Sequence, residues 1–171
     1  MLKQARTEIT VNGIVPVLSI SRSQDDHQVL DHFLNGSESN WDLVTADALD
    51  SALRLFESRW FPIVICDHQL PEGSWRRFLE APDSGAAPAA VIVTSRSADE
   101  RLWAEALNLG AYDVLAKPFE RREVYRVVDS AWRHWSNSRV ELKPKGRTAG
   151  ADRGRAIVAA GIRAFAASCI P

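Results

Sequence analysis

Short apolar runs alternate with amphipathic segments along most of the chain. Five runs have the length of a β-strand: VPVLSI, WDLV, PIVIC, AAVIV and YDVLA, centred near Val17, Leu43, Val64, Ile92 and Val114. The first, third and fourth runs are almost continuously aliphatic, which is typical of strands covered on both faces. Spacings of about 21 to 28 residues leave room for a crossover helix between strands. Parallel βα units are therefore predicted, with the first strand starting at or just after Pro16 because proline breaks internal strands.

Five segments with helical periodicity follow the strands, at residues 24–34, 47–58, 74–80, 98–109 and 120–137. In the first segment the predicted apolar face consists of Val29, Leu30, Phe33 and Leu34. The fourth segment ends at Gly110, a frequent residue after the last turn of a helix. Together the strands and helices predict a doubly wound α/β domain built on a five-stranded parallel sheet.

The two ends of the chain depart from this pattern. Residues 14–137 are predicted to form the domain, 1–13 a flexible extension and 138–171 a basic, Ala-rich tail. From residue 142 onward six Lys or Arg residues face one acid, so this part carries about +5 and the remainder about −6 of the net charge of −1. Residues 143–163 can be interpreted as an anchor for nucleic acid or anionic lipid, or as a solvated disordered tail. We favour the second interpretation, and no nucleic-acid partner is expected.

Composition is that of an ordinary soluble protein, with 46% hydrophobic and 25% charged residues. No run approaches 18 apolar residues, and the first 13 residues lack an apolar core, so neither a membrane span nor a signal peptide is predicted. Cys66 and Cys169 form no disulfide framework, which favours a cytoplasmic location. Neither glycine-rich nucleotide motif occurs, and the four histidines lack the spacing of metal ligands.

Polar residues stand where the predicted strands end: Ser21 and Arg22 after the first, Asp67 after the third, Thr94 on the fourth and Lys117 after the fifth. Carboxyl ends of parallel strands share one edge of a sheet, so these side chains are expected to converge. A strand-end carboxylate can attack phosphorus, while an ammonium and a hydroxyl can bind phosphoryl oxygens. A single Asp at a strand end is usually a loop residue or a helix cap. An acid, a hydroxyl and an ammonium at the ends of different strands of one sheet are together stronger evidence for a functional site.

Three motifs give the chain a resemblance to the receiver domains of two-component response regulators. They are D-H-Q-L-P at 67–71, V-T-S at 93–95 and G-A-Y-D-V-L-A-K-P-F at 110–119. The resemblance covers nearly all of the predicted domain and implies the flavodoxin-like (βα)5 receiver fold. It implies that Asp67 is the phosphoacceptor, Thr94 the switch hydroxyl and Lys117 the phosphate contact, with a cis bond between Lys117 and Pro118.

The function implied is that of a stand-alone, bacterial-type receiver. Such a protein accepts a phosphoryl group from a histidine kinase or phosphotransfer protein and signals through protein–protein contacts. It is not an enzyme, apart from its own phosphorylation by a kinase or small phosphodonor. Trp103, Trp132 and Trp135 are expected in the core; if exposed, the face formed by the fourth and fifth predicted helices becomes a partner or homodimer surface.

The resemblance breaks where the family has two acids that hold Mg²⁺, because Ser21 and Arg22 occupy those positions. A Mg²⁺ site at Asp67 is therefore expected to be weakened, and Asp25 and Asp26 are predicted to face solvent. Arg22 has two interpretations: its guanidinium substitutes for the missing cation, or it forms an ion pair with Asp67 that freezes the site. The second leads to an alternative function, a pseudo-receiver that binds partners without phosphotransfer.

A second departure concerns the fifth strand. Val114 stands where the family usually has an aromatic residue, and Tyr112 is expected two positions earlier on the same face of that strand. The usual coupling between the Thr94 hydroxyl and this aromatic ring is thus expected to be altered or absent.

Overall fold

The computed structural model describes residues 13–35, 40–71, 74–79 and 88–141 of the chain. Its strands are β1 (Val15–Ile20), β2 (Trp41–Ala46), β3 (Ile63–Asp67), β4 (Ala90–Ser95) and β5 (Asp113–Ala116). Its α-helices are α1 (Gln24–Leu34), α2 (Leu49–Ser58), α3 (Glu100–Asn108) and α4 (Arg121–Glu141). The predicted N-terminal extension up to residue 12 and the predicted tail from residue 142 lie outside the described residues.

The five described strands form one parallel sheet in the order β2-β1-β3-β4-β5. This arrangement confirms the predicted doubly wound α/β fold. Because the described strands are all parallel, their carboxyl ends lie along one edge of the sheet.

Both faces of the sheet are covered by apolar layers. On one face α2, α3 and the short 3₁₀ turn pack over residues such as Leu18 and Val64, and on the other α1 and α4 pack over Val17 and Ile65. Successive side chains of a strand point to opposite faces of the sheet. Neighbours such as Val17 and Leu18 are therefore both buried, one in each layer. The continuous apolar runs in the sequence are the consequence of this double burial.

Pro16 lies inside β1, so the prediction that the strand starts at or after it is wrong by one residue. The Val15 amide donates to the Asn40 carbonyl at 2.6 Å, on the β2 side. Because amides alternate along a strand, the Pro16 nitrogen faces β3, which begins only at Ile63, opposite Val17. Proline therefore occupies a position where β1 has no partner on that side.

Helix α1 has the predicted bounds but a different buried face. Its buried residues are His27, Leu30 and Leu34, whereas Val29 and Phe33 are only half-buried. The observed buried face is rotated about the helix axis relative to the predicted one, because it includes His27, a polar residue that a search for apolar periodicity overlooks.

Other predicted helix bounds shift at their ends. Residues 47 and 48 precede α2, α3 is shorter than predicted at both ends, and the segment at 74–80 forms a 3₁₀ turn over Ser74–Phe78 instead of an α-helix. Gly110 follows α3 with a φ of +98°, as expected of a residue that ends a helix. Helix α4 continues to Glu141, so the predicted domain boundary at residue 137 falls inside it.

The tryptophans divide between core and surface. Trp135 is buried beside Trp60 and Phe56, and Trp132 stacks on Trp135 with ring centroids 5.5 Å apart. Trp103 on α3 is 37% exposed, so its predicted place in the core is wrong. Across the described ranges no helix combines the length and apolarity needed to cross a bilayer.

Candidate functional site

Asp67 is the last residue of β3 and pairs in register with Thr94 of β4. Both side chains are almost completely buried at the carboxyl edge of the sheet. Lys117 follows β5, and the peptide bond between it and Pro118 is cis, as the resemblance implied. The Lys117 amide donates to the Ser95 carbonyl at 2.9 Å, which keeps this segment beside β4.

Lys117 contacts the Asp67 carboxylate directly. Its Nζ donates to Asp67 Oδ2 at 2.7 Å, and the two side chains are each 7% exposed. The other carboxylate oxygen, Oδ1, accepts from the Gln69 amide at 2.9 Å, so the turn after β3 orients the acid. The three expected groups thus lie on one edge: Asp67 and Lys117 in contact, and Thr94 on the adjacent strand.

The Thr94 hydroxyl has no hydrogen-bond partner within the described part of the chain. Its backbone carbonyl instead accepts from the His68 amide at 2.8 Å. Strand pairing therefore places Thr94 beside Asp67 while its hydroxyl remains available.

Asp26 is a member of the site that the sequence-based prediction placed in solvent, and that prediction is wrong. Lys117 Nζ donates to Asp26 Oδ2 at 2.6 Å, so one ammonium joins two carboxylates. Ser21 directly follows β1. Its Oγ lies 3.0 Å from Asp26 Oδ2 and 3.2 Å from Asp67 Oδ2, and its hydroxyl proton is shared between the two carboxylates. Within the described part of the chain, the site therefore consists of two acids bridged by one lysine and one serine.

Helix capping explains the position of Asp26. Ser23 caps α1 by accepting from the Asp26 amide at 3.3 Å, and the Ser23 amide donates to Ser21 Oγ at 3.1 Å. A side chain on the first turn leans toward the helix N-terminus, which here lies over the carboxyl edge of the sheet. The sequence signal was Ser23-Gln24-Asp25-Asp26, a capping-box spacing with the acid three residues after the cap.

Arg22 is exposed, and within the described residues it forms no ion pair with Asp67 or any other acid. The structure thus does not bring Arg22 to the carboxylate, and the frozen ion pair that supported the pseudo-receiver is not formed. Among the residues that the structure describes, the cation beside Asp67 is Lys117.

Electrostatics at this edge are set by burial as well as by charge. Cys66 precedes Asp67, and burial of its thiol, reinforced by the Asp67 carboxylate and opposed by Lys117, raises its pKa to about 12. The thiol is consequently protonated and unreactive at neutral pH. Among the described residues, two carboxylates contact one ammonium at this edge.

Val114 and Tyr112 lie in different layers, so the expectation that they share a face is wrong. Val114 is buried with α3, whereas Tyr112 packs on the α4 side and its hydroxyl bonds Ser130 Oγ at 2.6 Å. Tyr112 precedes β5, and the alternation of a strand does not extend to it.

A five-stranded parallel sheet with a buried acid, lysine and hydroxyl at its carboxyl edge defines the receiver class of signalling domains. The chain belongs to the response regulator receiver domain family, whose model matches residues 17–129. Receiver domains of this family act with histidine kinases or phosphotransfer proteins, and they are signalling modules in phosphorelays.

Solved receiver structures share this architecture. The signal receiver domain of an HD domain-containing protein from Pseudomonas fluorescens Pf-5 is 25% identical with a TM-score of 0.64, covering 77% of this chain and 96% of that one. Chemotaxis response regulator CheY4 of Vibrio cholerae is 18% identical with a TM-score of 0.59, covering 69% and 98%. The beryllofluoride-activated NtrC4 receiver domain dimer is 22% identical with a TM-score of 0.61, covering 70% and 98%. No curated protein matches the chain.

The donor set suits the Mg²⁺ that is typical of receiver domains. Within the described ranges no group of three or more His, Cys, Asp and Glu residues is placed to hold a metal. Asp26 and Asp67 nevertheless present two carboxylate oxygens to a single cation, the Lys117 ammonium, with the Ser21 hydroxyl between them. Mg²⁺ is commonly bound by one or two carboxylates together with phosphate oxygens and waters, so these residues fit it.

Proposed function

We propose that this chain accepts a phosphoryl group on Asp67 from a histidine kinase or phosphotransfer protein and signals through protein contacts. The observation that carries the proposal is the 2.7 Å contact between Lys117 Nζ and the buried Asp67 carboxylate. An ammonium in this position can follow the developing negative charge from the carboxylate to the phosphoryl oxygens.

The transfer itself is a substitution at phosphorus. One Asp67 carboxylate oxygen attacks the phosphorus of an N-phosphohistidine, and the P–N bond breaks as the O–P bond forms. The imidazole leaves with the electron pair and takes a proton from solvent, and the product is an aspartyl phosphate. The Gln69 amide holds the carboxylate in place during the attack through its bond to Oδ1.

Two groups are available to the transferred phosphoryl oxygens. Lys117 can exchange a carboxylate oxygen for a phosphoryl oxygen and remain in a charge-assisted hydrogen bond. The Thr94 hydroxyl, free within the described residues, can donate to another. Asp26 and Asp67 would hold Mg²⁺, which supplies positive charge to the transferring group when bound.

The readout of phosphorylation is proposed to be a change of protein contacts on α3 and α4. Trp103 and Leu107, one turn apart on α3, are 37% and 44% exposed, and Tyr125 on α4 is 45% exposed. Apolar side chains at this exposure suit a protein partner or a second copy of the chain. If a second copy binds here, Trp103→Glu will lower the molar mass measured by light scattering with beryllofluoride, whereas Ile14→Glu, at an exposed position just before β1, will not.

Radiolabelled acetyl phosphate with Mg²⁺ tests the phosphorylation directly. The native chain should gain label that hydroxylamine removes, as an acyl phosphate requires, and Asp67→Asn should not. Asp25→Asn, one residue from the site acid Asp26 but exposed, is the matched control and should label like the native chain. Label that survives in Asp67→Asn refutes the proposal. A native chain that stays unlabelled, from both acetyl phosphate and a phosphohistidine protein, favours the pseudo-receiver, whose sequence basis is Arg22 in place of an acid.

A further inference from the structure

His27 is buried beside the site, on the inner face of α1, and the chemistry described above does not use it. Both of its ring nitrogens are engaged. Nε2 lies 2.9 Å from the Ser21 carbonyl oxygen, and Nδ1 lies 3.2 Å from Ser19 Oγ. A carbonyl only accepts, so the geometry assigns the proton of a neutral ring to Nε2, and Nδ1 accepts from the Ser19 hydroxyl.

Ser21 is held by contacts on three sides. Its amide donates to the Ala46 carbonyl of β2 at 3.1 Å, its carbonyl accepts from His27, and its hydroxyl reaches the carboxylates of Asp26 and Asp67. The strand fixes only the amide side. The carbonyl side is where the chain leaves β1 for α1. There, the hydrogen bond from His27 Nε2 to the Ser21 carbonyl orients the Ser21 peptide.

We propose that His27 is a positioning residue for the acceptor site. Its Nε2–H holds the Ser21 peptide so that the Ser21 hydroxyl stays between the two carboxylates, and, from the next residue along α1, it also places Asp26 against Lys117. The inference rests on the proposed phosphorylation of Asp67, and it adds a residue that acts through Ser21 without touching the phosphoryl group.

Three substitutions separate the two ring contacts. In His27→Gln the side-chain amide nitrogen can occupy the place of Nε2 and donate to the Ser21 carbonyl. In His27→Asn the shorter amide reaches only the place of Nδ1, near Ser19. His27→Leu fills the space and makes neither bond, which leaves a buried carbonyl without a partner. His32→Gln, on the exposed side of the same helix, is the matched control.

Labelling by acetyl phosphate is expected to be retained within about threefold in His27→Gln and to slow roughly ten- to a hundredfold in His27→Asn and His27→Leu, the range for a misplaced site group. A second readout needs no phosphorylation. The Ser23 amide donates to Ser21 Oγ, so its hydrogen exchange should be about tenfold faster in the Asn and Leu variants than in the native, Gln and His32→Gln proteins.

Rescue by Gln in both measurements supports the positioning role. Variants that merely lose stability, with equal labelling rates and unchanged Ser23 exchange in the folded protein, overturn it. If the native chain is not labelled at all, the proposed function fails. In that case Ser23 exchange alone decides on His27: faster exchange limited to Asn and Leu upholds its role, and any other pattern refutes it.

Discussion

Replacing Lys117 by Met removes the ammonium that joins two acids while keeping an unbranched side chain of similar length. The substitution abolishes the hydrogen bonds from Nζ to Asp26 Oδ2 at 2.6 Å and to Asp67 Oδ2 at 2.7 Å. The three side chains are 7%, 15% and 7% exposed for Lys117, Asp26 and Asp67, so water can compensate for little of this change. Two carboxylates would then share a largely buried space without a cation.

The expected loss of unfolding free energy is about 3–5 kcal/mol at neutral pH, the range for breaking a buried ion pair from one side. The total unfolding free energy of a domain of this size is about 5–15 kcal/mol, so the loss is a large fraction of its stability. Asp26→Asn alone removes one of two like charges and leaves Lys117 paired with Asp67, so it should cost no more than about 1 kcal/mol. The double variant carries both Lys117→Met and Asp26→Asn. Its unfolding free energy should be about 1–2 kcal/mol higher than that of Lys117→Met alone, because the repulsion between the two carboxylates is removed.

Urea unfolding followed by tryptophan fluorescence measures all four proteins of this cycle. The control is Arg59→Met, which breaks an ion pair with Asp42 of equal length, 2.6 Å, whose side chains are 47% and 44% exposed. That exposed pair should contribute only about 0–1 kcal/mol. A loss in Lys117→Met as small as that in Arg59→Met, or no recovery in the double variant, would refute the picture of one ammonium holding two buried acids.

Further predictions concern three residues around the sheet. In a Cys169→Ser background, Cys66 should resist thiol reagents at pH 8 until the protein unfolds, because its thiol pKa is raised to about 12. Burial raises the pKa of this thiol from its ordinary value of 9.0 to about 12, so its contribution to stability is fully present below pH 9 and falls by about 1.4 kcal/mol per pH unit between pH 9 and about pH 12. Gly110→Ala should cost about 1–2 kcal/mol through its φ of +98°, since nothing lies within 4 Å of the added carbon. Tyr112→Phe should cost about 1 kcal/mol through loss of the hydrogen bond to Ser130.

Each of these has a comparison that isolates its cause. Cys66→Ala should lose stability less steeply above pH 9 than the native chain, and parallel curves would contradict the assignment to the thiol. Gly110→Asn should be less destabilising than the alanine variant, since Asn tolerates positive φ; equal losses would point away from backbone strain. Tyr125→Phe, at an exposed residue on α4, should leave the unfolding free energy unchanged, whereas a loss equal to that of Tyr112→Phe would exclude the Ser130 bond as the source.

Local patterns in the sequence were sufficient for the architecture. Strands buried on both faces need continuous apolar runs, and crossover connections need helical segments of sufficient length, so the runs around Val64 and Ile92 predicted a parallel sheet directly. Parallel strands place their carboxyl ends on one edge whatever the details of packing. Asp67, Thr94 and Lys117 could therefore be assigned to one edge from their positions at the strand ends.

Only the tertiary structure decided which helix residues face that edge. Each residue turns a helix by about 100°, so a small change in how α1 leaves β1 exchanges solvent-facing and site-facing positions. The Ser23 cap and the bond from His27 to the Ser21 carbonyl set that angle, and they bring Asp26 to Lys117 while Arg22 stays exposed. The pairing of parallel strands is enough to place a residue at a strand end on the carboxyl edge. The direction of a side chain in a turn or first helical turn depends instead on hydrogen bonds between segments. For that reason the sequence by itself determined the fold and the acid, lysine and hydroxyl at its edge, and the packed structure alone determined the second acid.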